Sequence, residues 1–207
     1  MTSPSSAAAT ASGPPVATRD RLVHATAELL LRQGYAGTGL KAVTDAGHAP
    51  IGSLYHHFPG GKEELVAEAL RVAGAGYAAI VGAVLADAPD LATGIRQSFP
   101  SAAAMLEATG YADACPVATV ALEVASSNDH LRQVTHEVFE SWVAWLTGSL
   151  VGEGLGEPRA RELALLYVGA LEGGFLLCRA ARSPEAMLAI GRAVADQVDA
   201  AIAAART

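Results

Sequence analysis

Aromatic residues supply only 5% of this 207-residue chain although 51% of it is hydrophobic, so its apolar content is mainly Ala, Leu and Val. That composition suits close-packed helices, and no segment alternates apolar and polar positions with the β-branched enrichment of a strand. Without strands there is no place for a strand-borne phosphate loop. A nucleophile elbow is excluded too, since Ser53 in Gly52-Ser53-Leu54 has no strand before it. Cysteine is nearly absent. Cys115 and Cys178 are too few for a disulfide framework and lack ligands at metal spacing, so buried thiols are expected, with a redox pairing as the alternative. No stretch approaches about eighteen uninterrupted apolar residues, which predicts no membrane partner. The N-terminus has neither the basic start nor the apolar core of a secretory signal, which predicts a cytoplasmic protein.

Third ligands are also missing. His56 and His57 are adjacent, so on a helix they point about 100° apart and cannot share a metal. His136 with Glu140, and His130 with Glu137, make half-sites that read as solvated helix faces. No metal, no cofactor and no catalytic residue are expected. Positive charge is scarce as well: the chain carries −7 overall. Residues 1–72 hold six Lys/Arg against six Asp/Glu, whereas the remainder holds eight against fifteen. The acidity therefore belongs to the C-terminal part, and a neutral N-terminal part can gather Lys41, Lys62 and helix N-termini against phosphate.

What is present is a sequence of helices. Residues 1–17 are uncharged Ser, Ala, Thr, Gly and Pro and are expected to be a disordered tail. A helix from Thr18, as N-cap, to Gly34 buries Leu22, Ala25, Leu29 and Leu30. Leu40 and Val43 then share a face of a short helix that Gly47 ends by a left-handed conformation. Pro50 opens the next, in which Ile51, Leu54, Tyr55 and Phe58 form an apolar stripe opposite Gly52, Ser53, His56 and His57. This is the layout of a DNA-reading helix-turn-helix, whose polar face can enter the major groove. A long helix from Lys62 to about Asp87 follows, with Glu63 and Glu64 in its first turn. Further helices are expected from Asp90 (interrupted or kinked at Pro100), Pro116, Asn128, Pro158 and Pro184. The expected fold is all-α with about nine helices. It divides into a three-helix helix-turn-helix domain at 18–61 and a helical ligand-binding and dimerisation domain at 62–207.

Leu54-Tyr55-His56-His57-Phe58, followed by Pro59, Gly60, Gly61 and Lys62-Glu63-Glu64-Leu65, resembles the DNA-binding signature of TetR-type transcriptional regulators, over about Arg19 to Leu70. Gly110-Tyr111-Ala112-Asp113-Ala114-Cys115-Pro116-Val117-Ala118-Thr119, with Ala121-Leu122-Glu123, resembles the ligand-domain signature of the LmrA/YxaF-like branch. The resemblance implies phosphate contacts from Thr38, Tyr55 and Lys62, and bases or their surroundings facing Gly52, Ser53, Tyr55 and His56. Pro50 and Ile51, at the head of the same helix, complete the set with Lys41. Two departures stand out. Ala49 replaces the usual Ser or Thr cap, and Ile51 stands where the branch often has Lys or Arg.

The implied function is a ligand-responsive regulator, foremost a repressor, with double-stranded operator DNA and a small hydrophobic or aromatic effector as partners. The alternative is a helical sequestering protein with a vestigial DNA domain. Phe99, Met105, Tyr111, Phe139, Trp142 and Trp145 are the residues from which an effector pocket is expected, ordinary core packing being the competing reading. Glu107, Asp113 and Glu123 are acids that would suit a cation, or simply the surface. Leu166, Ala170, Gly174 and Leu177, and Ile190, Val194, Val198 and Ile202, recur at helical spacing. They are core in a monomer, or, as the resemblance implies, part of a two-fold four-helix homodimer interface.

Overall fold

A computed structural model describes residues 17–206. The tail expected at 1–17 lies, apart from Ala17, outside the described residues. Among these, nine α-helices and no strand are found: α1 Thr18–Gly37, α2 Leu40–Ala46, α3 Ile51–His57, α4 Lys62–Ala86, α5 Leu91–Ala108, α6 Pro116–Val124, α7 Asp129–Gly152, α8 Glu157–Ala181 and α9 Glu185–Ala205. α4 and α8, of 25 residues each, are apolar enough by length and composition to cross a bilayer. In the fold α4 packs against α1, α5 and α7, and α8 against α7 and α9.

Side-chain caps fix three of the nine helix starts, those of α5, α6 and α7. Asp90 accepts the Thr93 N–H at 2.7 Å and Asn128 accepts that of Leu131 at 2.9 Å, as expected of such residues at N-caps. Thr18 is not a cap. Ala17 holds that position, and the Thr18 hydroxyl instead accepts from the Arg21 guanidinium. Pro100 neither ends nor divides α5, which runs through it as one helix.

Gly34 breaks the ladder inside α1 with φ 66° and ψ −170°. A side chain there would meet two obstacles, the left-handed backbone and the Glu123 carboxylate lying against the Cα. Glu123, from the end of α6, accepts the N–H groups of Tyr35 (3.1 Å) and Ala36 (2.8 Å) that the break sets free. The left-handed residue expected at Gly47 is in fact His48, with φ 48°. Gly47 has right-handed geometry and is small for another reason: a Cβ would stand 3.1 Å from the Val43 carbonyl and 3.3 Å from Leu22.

Two apolar cores result. One joins α1–α3 and the start of α4 (Leu65, Val66, Leu70) to α6 and the start of α7 (Leu131, Val134, Val138). The other joins α5, the rest of α7, α8 and α9. Cores and chain order thus disagree with a boundary at residue 61, because α4 and α7 each serve both.

Candidate functional site

At the DNA-reading end, Arg21 of α1 reaches across to the α2–α3 turn and donates to the carbonyls of Gly47 (3.1 Å) and His48 (3.4 Å). The turn is thereby fixed relative to α1. Within α3 only Leu54 is buried, with Phe58 just beyond it; Ile51 and Tyr55 are each 50% exposed. The expected stripe is therefore only half a core. A seven-residue helix laid on α1 and α2 has room for Leu54 and Phe58 beneath it, while Ile51 and Tyr55 lie on the solvent side with Pro50, Gly52 and His56. Ser53 is half-buried.

Several polar residues assigned to phosphate are otherwise engaged. Thr38 is turned inward, 1% exposed, and its hydroxyl donates to the Gly34 carbonyl at 2.7 Å; Gly39, not Thr38, heads α2. Lys62 donates to the Tyr35 carbonyl at 2.7 Å and sits 4.2 Å from the centre of the Tyr35 ring. Burial holds its ammonium below the usual lysine value, against the opposing pull of Glu123. Its visible task is to close the α1 break that Glu123 caps. Lys41 is 87% exposed but paired with Asp45 one turn on, at 2.6 Å. Arg19 pairs with Glu68 and Arg32 with Asp113.

In the C-terminal bundle, α4, α7 and α8 enclose a cavity with about 460 Å³ of empty volume, part of it open to solvent. Tyr77, Ala78 and Val81 line it from α4, Trp142, Trp145 and Leu146 from α7, and Tyr167, Val168, Leu171 and Glu172 from α8. Of the six residues expected at an effector pocket, Trp142 and Trp145 are here. Met105 is 41% exposed and lines two other clefts with Tyr77 and Phe175. Phe99 is fully buried core, edge-on to Tyr167 and pressed on Gly191. Phe139 packs edge-on to Trp142 from the side of the DNA-end core. Tyr111 has φ 63°, and its carbonyl accepts from Arg179 at the end of α8.

Sequence reasoning missed Glu172; Tyr77 and Tyr167 stood only in the wider group of aromatics outside the DNA domain that could form a pocket. Burial pushes the Glu172 carboxyl up to about 7, partly offset by a hydrogen bond with Cys115. Cys115, as N-cap of α6, is buried, and its thiol is pushed up by desolvation and by that carboxylate. Burial likewise raises the Tyr77 hydroxyl, and that of Tyr167 to about 12. A signal for Glu172 was available: it is the only charged residue between Glu162 and Arg179.

The residues expected at a two-fold interface divide. Gly174, Val194, Val198 and Ile202 are buried in the chain's own core, where Gly174 seats Met187, so they are not free to meet a second copy. Ala170 and Ile190 are half-buried at its edge. Leu166 and Leu177 are open, and with Leu165 and Leu176 they leave four leucines 43–63% exposed on α8. Among the described residues no cluster of His, Cys, Asp or Glu is arranged to hold a metal.

Residues 22–69 match the bacterial regulatory proteins of the tetR family, and residues 92–193 match the C-terminal domain of LmrA/YxaF-like transcriptional regulators. The HTH-type transcriptional regulator LmrA of Bacillus subtilis is 31% identical, over 86% of this chain and 95% of its own length. The uncharacterised HTH-type regulator YxaF of the same organism is 33% identical, over 77% and 83%. Among solved structures, a cysteine-substituted CifR bound to a 26-bp double-strand operator DNA superposes with a TM-score of 0.73 at 23% identity, covering 89% of this chain and 98% of that one. With its helix-turn-helix end and helical C-terminal bundle, the chain belongs to the TetR family of transcriptional regulators, in the LmrA/YxaF-like branch, and is a DNA-binding regulator rather than an enzyme.

Proposed function

We propose that this regulator is a cytoplasmic, homodimeric repressor that leaves its operator when a small hydrophobic or aromatic effector enters the cavity between α4, α7 and α8. The observation that carries the reading is that α4 both walls this cavity, through Tyr77 and Val81, and begins in the core of the DNA-reading end, through Leu65, Val66 and Leu70. An effector that fits better when α4 is tilted shifts the population away from the DNA-competent spacing, and linkage requires operator DNA to weaken the effector by the same factor. On the DNA side, Ile51 and Tyr55 supply apolar and hydroxyl contacts, with Gly52, Ser53 and His56 nearest the bases and Lys41 on phosphate. Dimerisation falls to the exposed leucines of α8, since an apolar face of this kind calls for a partner and a two-fold operator calls for two readers.

Selection of bound sequences from a random DNA pool, followed by gel shift, tests the reading. A palindromic site bound by a dimer is expected; a folded protein that enriches no sequence would overturn it. One observation favours a sequestering protein with a vestigial reader: Lys41, the cation of α2, is ion-paired with Asp45 within its own helix. The same selection decides between the two.

A further inference from the structure

The cavity has few polar groups in its lining, and most of them are engaged. Tyr77 spends its hydroxyl on the Ala114 carbonyl (3.2 Å), Tyr167 on Ser98 Oγ (2.8 Å), and Trp142 its indole N–H on the Gly74 carbonyl (3.0 Å). All three therefore turn aromatic surface inward and keep their donors for the protein. Glu172 is the sole charged residue in the lining, and its partner is the Cys115 thiol, a weak donor without charge. The groups facing it are Tyr77 from α4 and Cys115 from the head of α6; α7 presents only Trp142, Trp145 and Leu146, and no Lys, Arg or His lines the wall.

A half-buried carboxylate set among apolar and aromatic groups, with no counter-ion, is costly, and an anionic guest would raise the cost. A cation that brings its own N–H donor removes it, and aromatic walls add attraction for positive charge. We infer that the cavity takes a flat, apolar amine in its protonated form, with the ammonium on Glu172 and the ring system between Tyr77, Trp142, Trp145 and Tyr167. The inference rests on the reading of this cavity as the effector site, and it narrows that site's ligand class to organic cations. Binding then expels the proton that Glu172 carries at mildly acid pH, so affinity rises with pH up to about 7 and levels off above it.

Three probes of one shape test this by calorimetry on the DNA-free protein: 1-naphthylmethylamine, 1-naphthalenemethanol and 1-naphthoate. At about pH 8 the amine should bind at least about tenfold more tightly than the alcohol, a charge-assisted contact being worth that much, and the naphthoate least. Between about pH 8 and pH 6 only the amine should weaken, with proton release seen as a dependence on buffer ionisation heat. In Glu172→Gln, which keeps the shape, amine and alcohol should bind within about twofold of each other and the proton release should vanish. Equal binding of the three probes, binding of none, or an amine preference that survives Glu172→Gln overturns the inference. Operator gel shifts with the same probes separate the two readings. If the alcohol releases DNA as well as the amine does, the effector reading stands and the cation does not. If the amine binds through Glu172 and leaves DNA bound, the ligand class stands and the effector role fails.

Discussion

The core at the DNA-reading end and the core around α8 are built to different standards. The first is Leu, Val and Ala closed around Phe58, and the polar groups inside it are satisfied locally: Thr26 donates to the Leu22 carbonyl, Thr38 to Gly34 and Thr44 to Lys41. The second contains Phe99, Tyr167 and Phe175, borders the cavity, and meets at its edge an acid whose partner is a thiol. A reader of DNA has to hold one shape, because a small misplacement of α3 misplaces every base contact. On the proposed reading the second region is a sensor, which has to keep surface and charge unspent until its ligand arrives, and that reserve costs stability.

Substitutions sharpen the contrast, and the largest effect is expected at the reading end. Phe58→Ala removes a ring that is 1% exposed and should cost about 3–5 kcal/mol in urea unfolding, whereas Trp145→Ala, at a wall 41% exposed, should cost no more than about 1 kcal/mol. Comparable losses from the two would erase the distinction between a closed core and an open wall. Glu172 comes next, and its effect has the opposite sign. Its folded carboxyl titrates near 7 against an ordinary value of 4.5, so the folded state holds a proton that the unfolded state has lost. Stability therefore falls as pH rises from about 4.5 to about 7 and stays low above it. Glu172→Gln escapes this loss and should exceed the wild type by about 1–3 kcal/mol at pH 8, the gain shrinking toward pH 5. A pH-independent difference would show that the carboxyl is not held against its charge.

A smaller effect belongs to the seam. Glu123→Ala should cost about 1–2 kcal/mol and speed amide exchange at Tyr35 and Ala36 in particular, since those N–H groups lose their acceptor. Unchanged exchange at both amides would mean that the carboxylate is not their cap. The smallest change in stability is expected for Lys41→Ala, within about 0.5 kcal/mol, with a shallower salt dependence of DNA binding by about 1 in the log–log slope. Lys62→Ala should do the reverse: it should lower stability through the loss of the Tyr35 contacts and leave the slope nearly unchanged. A slope change at Lys62 equal to that at Lys41 would move Lys62 out of the fold and onto the phosphate.

The helices and two of their caps were legible in the sequence because their causes are local. Asp90 and Asn128 stand one residue before the helices they cap, and Leu54-Tyr55-His56-His57-Phe58 identified the reader. Partners were not legible, because a helical stripe names a face without saying what covers it. Val194, Val198 and Ile202 are a sound apolar stripe that meets the chain's own α5 and α8 rather than a second copy, while the leucines left open lie on α8. In the same way the stripe of α3 did not reveal that a helix of seven residues can bury only part of it. Thr38 and Lys62 carry the right donors for phosphate, and only the three-dimensional path of α1 shows them already bonded to Gly34 and Tyr35. Glu172 escaped notice because its partner Cys115 is 57 residues away along the chain.

The bond from Glu123 to the broken end of α1 has a consequence for anyone who would exchange parts between relatives. A chimaera cut at residue 61 looks like a clean transplant of a reading head, yet it separates Tyr35 and Ala36 from their acceptor on α6, and Arg32 from Asp113. The transplantable piece is the head together with the surface that grips it, residues 18–70 plus the stretch from Asp113 to Val138. Its two segments are interleaved with the rest of the C-terminal bundle along the chain, so, on the proposed reading of α3, point changes there alter operator choice more readily than grafting does.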